Sequence, residues 1–179
     1  DEQHKFGVNQ RKKLSDKGGD ECDVLLMTAT PIPRTLTMTM YGDMDLSIIK
    51  EKPKSRKLVK TYSKLESKIG DVIKFVKKEI NLGNQIFWVC PLIEESKKLD
   101  HTSAVKKFEF LKNLFPDQVL LLHGKTDIIE KESILEDFQK NKFKILVSTT
   151  IIEVGIDFPN ANVIIIENAN KFGLSQLHQ

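Results

Sequence analysis

The chain has 179 residues, with 28 Lys and Arg against 25 Asp and Glu and a formal net charge of +3. At 40% hydrophobic and 30% charged it has an ordinary globular composition, which excludes disorder, collagen-like repeats and a disulfide scaffold. No apolar run approaches the roughly 18 residues of a membrane helix, and no secretory signal opens the chain. Cys22 and Cys90 stand far apart without metal-ligand spacing, which points to a reduced, cytoplasmic setting.

The length predicts one domain with an additional piece. Residues 1–60 carry 12 basic and 9 acidic side chains, and residues 61–179 carry 16 of each. The arginines are Arg11, Arg34 and Arg56; every later basic residue is a lysine. Lysine is a mobile point charge, so the remainder lacks the planar fork that phosphoryl-transfer sites use. Asp1 stands where an initiator Met would, and the abrupt Asp-Glu opening reads as a piece of a longer polypeptide.

Residues 8–22 are polar, and Lys17-Gly18-Gly19-Asp20 reads as a loop. Asp23–Ala29 predicts a buried strand, and Thr30-Pro31-Ile32-Pro33-Arg34 a turn, because each proline excludes helical geometry from its predecessor. A short helix through Leu36 and Met40 follows. Residues 51–57 lie in a basic, proline-interrupted stretch and read as a linker.

Beyond the linker, strands and helices alternate. Leu58–Tyr62 predicts a strand, and Ile69, Val72, Ile73, Val76 and Ile80 recur at helical spacing before Gly83. Ile86–Pro91 is a strand. Ala104, Phe108, Leu111 and Phe115 mark a second helix, stopped by Pro116. Val119–Gly124 is a strand; Asp127 and Glu130 form a capping-box pattern before Ile134, Leu135 and Phe138 of a third helix. Lys144–Ser148 and Val163–Glu167 complete the strands. Near-continuous Ile, Leu and Val runs between amphipathic helices imply an α/β fold, a parallel sheet covered on both faces.

Three segments carry chemistry. Asp1-Glu2-Gln3-His4 pairs two carboxylates, one able to hold Mg²⁺ and one to polarise water, although a solvated terminus would look the same. Thr28-Ala29-Thr30-Pro31 ends a strand with small hydroxyl residues, which turn chemistry alone also explains. Ser148–Pro159 follows a strand, where hydroxyls and amides at the carboxyl edge can bind phosphate oxygens, or where Gly and Pro merely punctuate a loop. His123 reads as a structural histidine, Trp88 as core, and Lys74, Lys77, Lys78, Lys106 and Lys107 as solvated faces.

In combination these segments are far more specific. With Phe172-Gly173-Leu174-x-Gln176-Leu177-His178-Gln179, they resemble the superfamily-two DNA helicases. Val89-Cys90-Pro91-Leu92-Ile93-Glu94-Glu95-Ser96 and Ser103-Ala104 are more similar to the branched-DNA helicases than to the transcription-repair coupling translocases. The resemblance implies a RecA-like second motor domain over residues 58–179, preceded by the C-terminal tail of the first over residues 1–50. Asp1, Glu2, Gln3 and His4 match motif II, with Asp1 as the Mg²⁺ ligand. Thr28, Ala29 and Thr30 match the coupling motif III. Thr149, Thr150, Glu153, Gly155 and Asp157 match motif V, at the DNA and nucleotide faces, and Gln179 begins motif VI. His123-Gly124-Lys125-Thr126 replaces the usual His-Gly-Arg-Met.

The resemblance further implies ATP and Mg²⁺ as cofactors of a longer parent, branched or duplex DNA and single-stranded-DNA-binding protein as partners, and no membrane. The parent would work at the bacterial nucleoid in recombination and repair. The family's phosphate-binding loop, Gly-x-x-x-x-Gly-Lys-Ser/Thr, and its arginine fingers would lie outside these residues. The 179 residues alone are therefore expected to hold no ATP and to hydrolyse none. The first 50 are too few for a core of their own and are expected either to be poorly ordered or to pack their Val24–Met27 strand on the second domain or, by self-association, on another copy. A dinucleotide-binding enzyme is the other reading of the alternating pattern, disfavoured because no G-x-G-x-x-G follows a strand. A non-catalytic nucleic-acid-binding module is a third.

Overall fold

The computed structural model describes residues 8–18, 58–91, 97–149 and 157–173, together with 23, 25, 27, 45, 47–49, 51, 176 and 177. The chain divides into two compact units, residues 1–61 with 174–179, and residues 62–173.

In the first unit, Val8–Gly18 forms an α-helix, α1, where a featureless polar stretch was expected. Its sequence offers Gln, Arg, Lys and Leu, which are good helix formers, but too few apolar residues to betray a period. The expected strand over 23–29, the turn at 30–34, the helix through 36 and 40 and the linker 51–57 lie largely outside the described residues. Asp23, Leu25 and Met27 carry no strand and are exposed.

Leu58–Tyr62 does not form the expected strand. Leu58, Val59 and Tyr62 are 86%, 86% and 76% exposed. The residue types suit a strand, but β-propensity reflects packing on a half-buried surface, and among the described residues no neighbouring strand provides one.

The second unit carries the sheet. Helix α2 (Ile69–Asn81) precedes β1 (Gln85–Val89). Helix α3 (Lys97–Leu114) leads to β2 (Val119–Leu122), and α4 (Ile128–Gln139) to β3 (Ile145–Ser148). Strand β4 (Ala161–Ile166) follows, then a short 3₁₀ turn, Ala169–Lys171. The strand order is β2-β3-β1-β4, and every pairing is parallel. Ile145 aligns with both Ile86 and Val119, so three strands share one row.

Period-two alternation sorts the side chains onto two faces. Ile86, Trp88, Val119, Ile145 and Val147 pack with Val76 of α2 and Ala104 and Leu111 of α3. On the other face Leu122 and Leu146 meet Leu135 and Phe138 of α4, with Phe87 and Phe158 against them. Both faces are covered, as the apolar runs implied. Ile164 of β4 is 52% exposed, so the α4 side is covered less completely at that edge.

Local chemistry fixes the boundaries. Gly83 takes φ +89°, and α2 closes with Gly83 N–H to the Ile80 carbonyl at 2.9 Å and Asn84 N–H to that of Glu79 at 3.0 Å. That is the Schellman pattern, which glycine adopts without a Cβ penalty. At the start of α4, Asp127 Oδ1 accepts from Glu130 N–H at 2.8 Å, the expected N-cap. Gln85, 1% exposed, donates through Nε2 to the carbonyls of Phe138 at 2.6 Å and Phe143 at 2.8 Å. It thereby adds a second bond to the Phe138 carbonyl in the last turn of α4, which also accepts from Asn141 N–H at 2.9 Å.

Candidate phosphate-binding edge of the sheet

In a parallel sheet all strands end on one edge, and ligands bind there, beyond the strand carboxyl ends. Four groups leave this edge among the described residues: Cys90 after β1, His123 after β2, Thr149 after β3 and Glu167 after β4.

Backbone bonds join three of these exits. Cys90 N–H donates to the Ser148 carbonyl at 2.8 Å, and Glu167 N–H to that of Val89 at 2.9 Å. Thr149 follows immediately, 3% exposed. Its Oγ1 is the one buried side-chain polar atom without a hydrogen-bond partner among the described residues. Buried hydroxyls are normally paired, since desolvation without a bond costs about 1–3 kcal/mol. A hydroxyl kept unpaired at a ligand-facing edge has the chemistry to donate to a phosphate oxygen.

The exit from β2 is a tight turn. Thr126 N–H donates to the His123 carbonyl at 3.0 Å, His123 N–H to Thr126 Oγ1 at 3.2 Å, and Lys125 N–H to His123 Nδ1 at 3.2 Å. His123 is thus hydrogen-bonded within its own turn. Thr126 contributes an acceptor that a methionine at that position would lack.

The exit from β4 holds what sequence reasoning missed. Glu167 Oε1 accepts from Trp88 Nε1 at 3.0 Å and pairs with Lys107 Nζ at 2.7 Å. Lys107 also stands 5.5 Å from the Trp88 ring centroid and 5.2 Å from that of Phe110. It is not the solvated lysine expected; Lys74, Lys77, Lys78 and Lys106 are exposed as anticipated. The one available signal was Glu167 itself, a carboxylate closing an apolar strand.

Glu167 Oε2 lies 3.9 Å from Cys90 Sγ. Burial, reinforced by the Glu167 carboxylate, pushes the Cys90 thiol up to about 12. Its protonated form thus belongs to the folded state, so this contribution to stability is complete below the unfolded thiol value and is lost as pH rises from about 9 towards about 12. With Cys22 replaced by serine, Cys90 is expected to stay inert to a thiol reagent at pH 8 until denaturant is added. Rapid modification in native buffer would contradict this burial.

Of the other expected site residues, Asp157 is described. It lies on the approach to β4, its carbonyl accepting from Gln139 Nε2 at 3.2 Å beside the end of α4. It does not share the strand exit of Thr149. Asp1, Glu2, Gln3, His4, Thr28, Ala29, Thr30, Thr150, Glu153, Gly155 and Gln179 lie outside the described residues. Among the described residues no group of His, Cys, Asp and Glu could hold a metal ion, and no helix is long and apolar enough to cross a membrane.

Residues 67–179 match the helicase conserved C-terminal domain. The chain belongs to that family. The helicase C-terminal domain here is similar to ATP-dependent DNA helicases RecG along its whole length. It is 50% identical to that of Bacillus subtilis over 181 aligned residues and 54% identical to that of Aquifex aeolicus, covering all of this chain and 26% and 23% of those proteins. The chain thus spans about a quarter of the length of these relatives. A solved structure of RecG bound to a three-way DNA junction matches 89% of this chain and 22% of that one, with a TM-score of 0.67 and 40% identity. The parallel sheet with flanking helices is that of a RecA-like helicase C-terminal domain.

Proposed function

We propose that these residues form part of the motor of an ATP-dependent helicase acting on branched DNA. The match of the whole of this chain to a quarter of the RecG helicases, at about half identity, carries this reading. In this account Thr149 donates to a DNA phosphate at the carboxyl edge of the sheet, and Thr150, Glu153, Gly155 and Asp157 belong to the same motif, which serves the DNA and nucleotide faces. Thr28, Ala29 and Thr30 couple nucleotide state to DNA grip, and Gln179 leads into the motif that completes the nucleotide site.

ATP and Mg²⁺ are the proposed cofactors of the whole enzyme. ATP supplies the free energy of translocation, and Asp1 has the oxygen chemistry that Mg²⁺ prefers. Glu2 is able to take a proton from water, with Gln3 and His4 beside it. The setting is the bacterial cytoplasm at the nucleoid, in recombination and repair, with single-stranded-DNA-binding protein as a further partner. The first 50 residues are the proposed surface for self-association.

These 179 residues contain no Gly-x-x-x-x-Gly-Lys-Ser/Thr loop. The isolated polypeptide is therefore expected to bind duplex and forked DNA with an affinity that falls as salt rises, because phosphate contacts release counterions. It should release no phosphate from ATP. Salt-independent affinity, or Mg²⁺-dependent ATP turnover by the isolated chain, would contradict the reading.

A further inference from the structure

Three strand exits stand in one hydrogen-bonded row, and Thr149, Cys90 and Glu167 mark them. Backbone bonds alone leave such a row free to splay, since each lies at the last rung of its ladder. The Glu167 side chain is held at this point from two directions. Trp88, fully buried, reaches it from β1, and Lys107 reaches it from α3. Lys107 and Glu167 are each 22% exposed, so their pair is screened less than a surface ion pair. Their positions are further constrained by the ring of Trp88, over which the lysine sits.

We infer that Glu167 is a positioning residue for DNA binding, fixing the exit of β1 against that of β4 and thereby holding the Ser148–Thr149 corner in place. The path is short and continuous. The Glu167 carboxylate fixes Trp88; the strand carrying Trp88 ends at Val89 and Cys90; Cys90 N–H holds the Ser148 carbonyl, and Thr149 is the next residue. Glu167 itself needs no contact with DNA. The inference rests on the proposed role of Thr149 in gripping phosphate.

A double-mutant cycle in DNA affinity separates this from a purely structural role. In the 179-residue chain, dissociation constants for a forked duplex would be measured for Thr149→Val, Glu167→Ala and the double variant. Each single change is expected to weaken binding by about fivefold to tenfold, and the double variant by no more than the weaker-binding single variant. Glu167→Gln keeps an oxygen for Trp88 and should bind within about threefold of the unaltered chain. Losses that multiply in the double variant would overturn the inference, as would unchanged affinity in Glu167→Ala. Should Glu167→Ala fail to fold, Lys107→Met takes its place in the cycle, with the same two outcomes. A chain in which Thr149→Val alone has no effect on DNA binding overturns the functional reading first, and the role of Glu167 with it.

Discussion

Replacing Phe138 by alanine should lower the unfolding free energy of the second unit by about 3–5 kcal/mol. Phe138 is fully buried and sits at the centre of the smaller face of the sheet. Its ring lies 5.2 Å from Phe87 and 5.5 Å from Phe158, centroid to centroid, and those two rings meet edge to face at 5.4 Å. The other two rings, anchored to β1 and the approach to β4, are stiff neighbours that limit how far the void can close. The backbone of Phe138 is also pinned, because its carbonyl accepts from buried Gln85. Collapse around the missing ring is therefore restricted, which places the loss towards the upper part of that range. Domains of this size hold only about 5–15 kcal/mol in total, so the variant should sit near the edge of folding. Trp88, the one tryptophan of the chain, reports unfolding from the opposite face. A urea transition followed by its emission checks the value, with Ile129→Ala (82% exposed in the native protein) as a control expected within about 0.5 kcal/mol. A loss below about 1 kcal/mol for Phe138→Ala would mean that the three-ring cluster does not hold α4 to the sheet.

The second large effect has opposite signs in its two readouts. Thr149→Val keeps the shape of the side chain and removes a hydroxyl that is buried without a partner. The folded chain no longer bears the desolvation of an unpaired polar group, and stability should rise by about 1 kcal/mol. DNA affinity should fall by about fivefold to tenfold, since a hydrogen bond is worth about 1–1.4 kcal/mol net. The slope of affinity against salt should not change, because a neutral hydroxyl displaces no counterion. Urea unfolding and a DNA titration at two salt concentrations measure both effects. A destabilised variant with undiminished DNA affinity would make Thr149 an ordinary structural threonine.

The sheet was legible in the sequence because its strands are buried on both faces. Runs such as Val119–Leu122 and Ile145–Val147 have no polar interruption, and helix Ile69–Asn81 keeps a clear apolar stripe. The same signal misled at Leu58–Tyr62, where apolar residues of the right type stand exposed, with no partner strand among the described residues. Helix α1 was hidden for the converse reason, a composition suited to helix with too few apolar residues to show a period. At the candidate site, Thr149 could be placed from its position after a strand. Glu167 and Lys107 could not be paired, because 60 residues separate them and the geometry that joins them exists only once α3 lies on the sheet. The sequence pattern also grouped Asp157 with Thr149, whereas the chain carries it to the end of α4 before β4 begins.

The most direct test of the central claim is strand separation of a forked or three-way DNA by the natural polypeptide that contains these residues, with and without ATP and Mg²⁺. ATP-dependent unwinding, abolished when Asp1 and Glu2 are replaced by Asn and Gln and weakened by Thr149→Val, is the predicted result. A protein that binds such DNA but neither hydrolyses ATP nor separates the strands would contradict the helicase reading.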